Sequence, residues 1–265
     1  MKNSYSNDFA ADDIFQKNDA ACDCTKDGSA QAQGSVVSCG DVHKTFTIAF
    51  LGDSITAGAG ASCEENRYST RLCKMIGAVE QNYGVGGTRI AKQNAPSECP
   101  QFDEDFLTRF EQMKDADFVF VFGGTNDYGH GDADFGDENS CDEHTFCGAV
   151  RTLASKLSAK YGKDNVCFIL PLRRFDEDNP RGEFGQQSKI RPSLKQYVAA
   201  EEKIVESFGI DCLNLRNVMP VPHTNEPSEF YVDGLHPTDK GHELLAEYVA
   251  KYISTKRTCL SATRK

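Results

Sequence analysis

Two short stretches of this sequence carry residues that together can perform nucleophilic catalysis. Ser54 lies in the glycine-flanked turn Gly52-Asp53-Ser54, directly after an apolar run. Asp233 and His236 are three residues apart, a spacing at which a carboxylate can orient an imidazole and stabilise its protonated form. A serine hydroxyl paired with such a histidine can attack an acyl group. The residue types therefore point to acyl transfer, although a Gly-Asp-Ser turn on its own is more often only a turn.

Two further motifs can supply hydrogen-bond donors to a developing negative charge. The glycine-rich run 82–88 can expose a backbone N–H group, or it can simply permit positive φ angles in a tight loop. Its glycine spacing does not match a nucleotide-binding fingerprint. Asn126 can point its side-chain amide into a cleft, or it can cap a turn. Each motif alone leaves the catalytic and the structural interpretation open.

Alternating apolar runs and helical patterns indicate the elements that hold these residues. The predicted strands are 46–51, 82–85, 117–122, 165–170 and 211–215, and the predicted helices are 66–78, 103–114, 145–161, 188–208 and 238–254. Five βα units predict an α/β fold, a three-layer α/β/α sandwich around a five-stranded parallel sheet. Ligands bind such sheets beyond the carboxyl ends of the strands, which is where the candidate residues lie in the sequence.

The chain divides by composition into three parts. Residues 1–45 are polar and lack periodicity, which predicts a flexible leader. Residues 46–254 form the predicted catalytic domain, and the basic segment 255–265 is predicted to be a frayed tail. One alternative for the leader is a zinc site, because three thiolates and an imidazole can bind zinc; its ligands are Cys22, Cys24, Cys39 and His43.

Charge and cysteine content restrict the partners and the compartment. The formal net charge of −11 argues against nucleic acid or an anionic membrane as the main partner. The N-terminus has no apolar core of a signal peptide, and no run is long enough to span a membrane. The 11 cysteines are an odd number, so we expect mostly free thiols in a cytoplasmic protein. The sequence does not indicate an oligomeric state.

Four motifs in order resemble the sequence blocks of the SGNH (GDSL-type) hydrolase family. They are Gly52-Asp-Ser-Ile-Thr56, Gly87 of the glycine run, Gly124-Thr-Asn-Asp127 and Asp233-x-x-His236. The resemblance implies a flavodoxin-like fold and an enzyme that hydrolyses esters without a metal or organic cofactor. It implies that Ser54 is the nucleophile, that His236 is the base and that Asp233 orients it. The oxyanion hole would comprise the backbone N–H groups of Ser54 and Gly87 and the side chain of Asn126, with Gly86 as the alternative glycine.

The segment 127–143 suggests the substrate, because it contains seven acidic residues and no lysine or arginine. At the presumed site these charges would disfavour anionic esters, so we expect a neutral, short-chain and in particular O-acetyl ester of a carbohydrate or a small molecule. The segment can equally be a solvated loop that points elsewhere. The aromatic rings of Tyr128 and Phe135 are expected to stack on a sugar ring. The candidate substrate contacts are Asp53, Asp127, Tyr128, Arg173 and Arg174.

Two other functions are alternatives to a short-chain carbohydrate esterase. One is a thioesterase or lysophospholipase of the same family that acts on longer acyl chains. The other is a non-catalytic protein that binds acylated glycans, which the presence of all four motifs disfavours. Preference for acyl chain length separates the first from a sugar esterase.

Overall fold

The computed structural model describes residues 45–97 and 99–263, with side chains up to residue 256. The predicted leader and its candidate zinc ligands, Cys22, Cys24, Cys39 and His43, lie outside the described residues. Seven cysteines of the described chain are free thiols, and three of them, Cys73, Cys147 and Cys167, are buried. Within the described chain, no helix has the length and apolar character needed to cross a membrane.

A five-stranded, all-parallel sheet forms the centre of the fold. Its strands are β1 (Thr47–Gly52), β2 (Val79–Gly84), β3 (Phe118–Phe122), β4 (Val166–Ile169) and β5 (Asp211–Leu213). Their spatial order is β2-β1-β3-β4-β5, with β1 at the point where the order reverses. This order is that of flavodoxin-like sheets, in which ligands bind beside the switch point between β1 and β3. The predicted α/β sandwich and its flavodoxin-like topology are confirmed.

Seven α-helices connect and cover the strands of the described chain. They are α1 (Ser54–Ala57), α2 (Tyr68–Ile76), α3 (Phe106–Phe110), α4 (Thr125–Gly129), α5 (Phe146–Tyr161), α6 (Leu194–Ser207) and α7 (Asp239–Thr263). Helices α3 and α6 begin later than the predicted residues 103 and 188, and capping residues explain both starts. Asp105 accepts a hydrogen bond from Thr108 N at the start of α3, and Ser193 forms a capping box with Gln196 at the start of α6. Helix α7 continues to Thr263, beyond the predicted end of the last helix at residue 254.

Both faces of the sheet are buried, and β3 shows why its sequence lacks polar alternation. Phe118, Phe120 and Phe122 pack on one face with residues of α2 and α7, and Val119 and Val121 pack on the other with residues of α3, α5 and α6. A parallel sheet covered on both sides needs apolar residues at every position of its central strands. Two cores therefore fix the central strands, and the carboxyl ends of β1 and β3 hold the candidate site.

Candidate active site

Ser54 is the first residue of α1, immediately beyond the carboxyl end of β1. The Asp53 carboxylate caps this helix by accepting a hydrogen bond from Ile55 N at 3.0 Å. The Asp53 side chain is almost fully buried, and burial raises its pKa to about 6. The structure therefore gives Asp53 a structural role in place of the predicted contact with substrate. Asp53 holds the turn that presents the Ser54 hydroxyl.

The Ser54 hydroxyl begins a continuous hydrogen-bond chain of three side chains. Ser54 Oγ lies 2.8 Å from His236 Nε2, and His236 Nδ1 lies 2.7 Å from Asp233 Oδ2. The other Asp233 oxygen accepts hydrogen bonds from the backbone N–H groups of Leu235 and His236, at 3.1 and 2.8 Å. Asp233 thus fixes both the backbone and the ring of the histidine. This geometry suits proton transfer from Ser54 to His236.

The charges in this chain favour that transfer. Burial would raise the pKa of Asp233, but hydrogen bonds from the His236 ring and backbone outweigh burial and lower it to about 2. Burial would lower the pKa of His236, but the hydrogen bond and the charge of Asp233 outweigh it and raise that pKa. Asp233 is consequently ionised at neutral pH and stabilises the imidazolium that forms when His236 accepts a proton.

Asn126 is hydrogen-bonded to the glycine run, and Gly86 of this run lies close to Ser54. Asn126 Nδ2 donates to Thr88 O at 3.0 Å, which uses one of its two amide protons, and Asn126 Oδ1 lies 3.2 Å from His130 Nε2. A Cβ atom built on Gly86 would lie 3.7 Å from the Cβ of Ser54. At Gly87 the φ angle is +76° and a Cβ atom would meet the Phe102 ring at 2.2 Å, so this position requires glycine.

Arg109 is a buried residue that the sequence analysis missed. Its guanidinium donates to Gly52 O at 2.8 Å, to Tyr83 O, and to Thr88 Oγ1 at 2.7 Å. These acceptors belong to the ends of β1 and β2 and to the glycine run, so one side chain joins three segments around Ser54. Because the bonds reach residues as far as 57 positions away, no local motif signals this role.

Three predicted substrate contacts are packed inside the protein and were wrong. The Asp127 carboxylate accepts hydrogen bonds from Ile90 N and Ala91 N, both at 2.9 Å, and thereby fixes the chain after the glycine run. Tyr128 has no exposed surface, and its hydroxyl donates to Asn179 O at 2.9 Å. Arg174 is also buried, and its Nε donates to Asp176 Oδ1 at 2.6 Å. All three are occupied in holding loops to α4.

Arg173 is placed away from the hydrogen-bond chain in a separate surface cavity. It lines a cavity of about 260 Å³ together with residues of α6 and of the chain after β5, and neither Ser54, Asp233 nor His236 contributes to that lining. Its guanidinium lies 3.5 Å from Asn217 Oδ1. The structure therefore does not bring Arg173 together with the nucleophile.

Phe135, the second ring expected to stack on a sugar, packs edge-on against Tyr197 with ring centroids 4.9 Å apart.

The acidic segment 127–143 is largely paired with basic side chains or backbone groups. Lys92 pairs with Glu143, Lys203 pairs with Glu138, and Lys189 pairs with Asp134 at 3.0 Å. Asp132 accepts hydrogen bonds from the backbone N–H groups of residues 94 and 95. Three of the seven carboxylates in this segment are therefore paired with lysines, which weakens the expectation that the segment by itself selects a neutral substrate.

Glu201 of α6 is fully buried behind α4, and both carboxyl oxygens lack a hydrogen-bond partner among the described residues. A Cβ atom on Gly124, the residue that starts α4, would lie 3.0 Å from Glu201 Oε2. Burial first, and then the charges of Asp127 and Asp53, raise the pKa of Glu201 well above 4.5. The sequence around Glu201 carries no signal of this burial, since a glutamate in an amphipathic helix normally faces water.

We expect Glu201→Leu to stabilise the protein. A buried polar group without partners costs about 1–3 kcal/mol, and leucine removes that cost. The native state also keeps the Glu201 proton at pH values where the unfolded chain has lost it. The free energy of unfolding of the natural protein therefore falls as pH rises above 4.5, and the advantage of the variant grows over the same range. Urea unfolding at pH 5 and pH 8 measures this, with the exposed Glu206→Leu as control. A variant less stable than the natural protein at pH 8 would contradict it.

A serine–histidine–aspartate chain at the carboxyl edge of a flavodoxin-like sheet defines a hydrolase of the serine type. Residues 50–244 match the GDSL-like lipase/acylhydrolase family, so the chain belongs to this family and is an ester-hydrolysing enzyme. This confirms the resemblance seen in the sequence motifs.

Solved structures show the same fold. A protein from Lactobacillus plantarum is 26% identical, with a TM-score of 0.65 over 80% of this chain and 99% of that one. The lipase/acylhydrolase from Enterococcus faecalis is 22% identical, with a TM-score of 0.53 over 80% of this chain and 97% of its own. Comparison with curated protein sequences finds no match.

Proposed function

We propose that this enzyme hydrolyses short-chain esters, in particular O-acetyl esters of carbohydrates, with Ser54 as nucleophile. The hydrogen-bond chain from Ser54 through His236 to Asp233 carries the assignment of roles. It also argues against a protein that only binds acylated glycans, because binding alone gives no reason to hold a serine, a histidine and an aspartate in this alignment.

The reaction follows from the positions of these groups. Ser54 Oγ bonds to the ester carbonyl carbon while its proton moves to His236 Nε2. The carbonyl oxygen becomes an oxyanion that accepts hydrogen bonds from Ser54 N–H, from the second amide proton of Asn126 and from a glycine N–H. We assign that glycine to Gly87, with Gly86 as the alternative. His236 then gives its proton to the leaving alcohol, and water attacks the acyl-enzyme by the reverse sequence.

The charge around His236 supports a neutral substrate. Besides Asp233, the carboxylates of Asp53 and Glu183 act on the imidazole, and both raise its pKa. A substrate that carries a phosphate or carboxylate near the leaving oxygen would meet this negative field. An acetylated sugar carries no such charge, and its hydroxyl groups suit polar neighbours such as Glu183 and His130.

Hydrolysis of p-nitrophenyl esters from acetate to palmitate tests the proposal. We expect the highest kcat/KM at acetate, and acetylated monosaccharides form the next set of substrates. A maximum at long chains would instead favour a thioesterase or lysophospholipase of this family. Absence of hydrolysis for all esters in the series would contradict the proposed catalytic role of Ser54.

Loss of the Asn126 amide is expected to slow turnover. Asn126→Ala should lower kcat about 10²- to 10³-fold, because one donor to the oxyanion is removed. KM should change little, since the charge on the oxygen develops only in the transition state. Steady-state kinetics on p-nitrophenyl acetate measures both values, and the exposed Asn139→Ala is the control. A fall that appears only in KM would show that Asn126 binds substrate instead.

A further inference from the structure

The connection between β4 and α6, residues 170–193, reaches the histidine of the catalytic chain. Phe175 N donates a hydrogen bond to Gly234 O at 3.3 Å, and Gly234 lies between Asp233 and His236. A Cβ atom on Gly234 would be only 3.0 Å from the Phe175 ring. Further along the same connection, the Glu183 carboxylate acts electrostatically on His236. Phe175 therefore lies against the turn that carries His236, whereas the Glu183 carboxylate lies against α4, 3.1 Å from a Cβ atom built on Gly129.

Phe184 stands out in this connection because a large apolar ring is presented to solvent. Its side chain is 55% exposed, and its ring centroid lies 5.6 Å from that of Phe175. Its backbone has φ +50° and ψ +18°, and no other non-glycine residue in the described chain has a positive φ. Backbone conformations of this kind are held only by their surroundings, and they concentrate at functional sites.

Buried groups hold Phe184 in this conformation. Phe184 N donates to Asp176 Oδ2 at 3.0 Å, and the other oxygen of Asp176 accepts from the buried Arg174 at 2.6 Å. Arg174 Nη2 also lies 3.6 Å from the Glu183 carboxylate. Gln187 Nε2 donates to Gly131 O at 2.9 Å and ties the far end of the connection to the chain after α4. The exposed ring is thus supported by a built framework.

The reaction geometry indicates which half of an ester meets this ring. The oxyanion donors hold the carbonyl oxygen, whereas His236 must reach the leaving oxygen to protonate it. The alcohol half therefore lies next to His236, and the paired rings of Phe175 and Phe184 lie against the turn that carries this histidine.

We infer that Phe184 is a specificity-determining residue whose ring packs against the sugar ring of the alcohol half. A flat aromatic face matches the C–H face of a sugar ring. The inference rests on the proposed esterase function and extends it to the class of alcohol.

Three variants test this inference with two acetate esters. Glucose pentaacetate has a sugar ring as its alcohol, and ethyl acetate has none. Phe184→Gly removes the ring and suits the positive φ, so it should fold at least as well as the natural protein. We expect kcat/KM on glucose pentaacetate to fall about three- to tenfold through KM, while ethyl acetate changes less than twofold. Phe184→Tyr should retain the natural values, and Ile190→Ala controls for loss of an exposed apolar residue from the same connection.

The possible results separate this inference from the proposed function. Equal falls on both esters, or no change on either, would overturn the role of Phe184 while leaving the esterase intact. Hydrolysis of ethyl acetate but not of glucose pentaacetate by the natural protein would also overturn it. A natural protein inactive on both esters, and on the p-nitrophenyl series, would overturn the proposed function itself.

Discussion

Ser54→Ala is expected to abolish ester hydrolysis, with kcat reduced about 10⁴- to 10⁶-fold. The substitution removes the oxygen that forms the acyl-enzyme and leaves His236 without its hydrogen-bonded hydroxyl. Water held in the site can react only slowly, because it is not positioned on the carbonyl carbon by a covalent link to the chain. Hydrolysis of p-nitrophenyl acetate, measured at high enzyme concentration, gives the size of the loss.

The fold should survive this change. The only hydrogen bond of the Ser54 side chain in the described structure is to His236, so Ser54→Ala leaves no buried backbone group unpaired. We expect its thermal melting temperature to stay close to that of the natural protein. A fluorophosphonate probe should label the natural protein and leave the variant unlabelled. Ser155→Ala, on the exposed face of α5, is the matched control and should retain activity and labelling. Turnover in Ser54→Ala above one hundredth of the natural rate would refute the mechanism.

The parts of the site that could be predicted are those encoded by local spacing. Ser54 follows a strand within one turn, and Asp233 and His236 lie within four residues of each other, so the chain geometry alone brings each group into place. The central strands are also local signals, because an apolar run such as β3 has no alternative to burial on both faces. The polar strand β2 carries a weaker signal, and it begins at Val79 instead of the predicted residue 82.

Residues with distant partners escaped prediction. Arg109 acts through acceptors near β1 and β2, and Glu201 sits behind α4 although it belongs to α6. The same limit explains the wrong assignments. Tyr128 follows Asn126 closely and was expected at the site, but the connection 170–193 covers it, and its hydroxyl bonds to a residue 51 positions later. The charge of the acidic segment was overestimated for the same reason, since Lys189 and Lys203 each pair with one of its carboxylates from far along the chain.

Asp233→Asn is expected to lower kcat about 10⁴-fold while the fold is kept. In the natural protein the Asp233 carboxylate accepts a hydrogen bond from the N–H group at Nδ1 of His236. Nε2 therefore carries no proton and can accept the proton of Ser54. In Asp233→Asn the side-chain oxygen is expected to keep the hydrogen bonds from the backbone N–H groups of Leu235 and His236. The amide nitrogen then faces the imidazole ring of His236. That nitrogen donates to Nδ1, so the ring proton moves to Nε2. The histidine then donates to Ser54 and can no longer act as its base.

The pH profile separates this role from a purely structural one. Asp233 raises the pKa of His236, and the base is active only when neutral, so activity of the natural enzyme falls as pH drops through that raised pKa. Without the carboxylate the His236 pKa decreases, and the acidic limb of the residual activity should move to lower pH. Asp239→Asn is the matched control, because Asp239 binds Ser62 at the start of α7 and lies outside the catalytic chain. A loss below tenfold, or an unmoved acidic limb, would show that Asp233 does not govern the proton on His236.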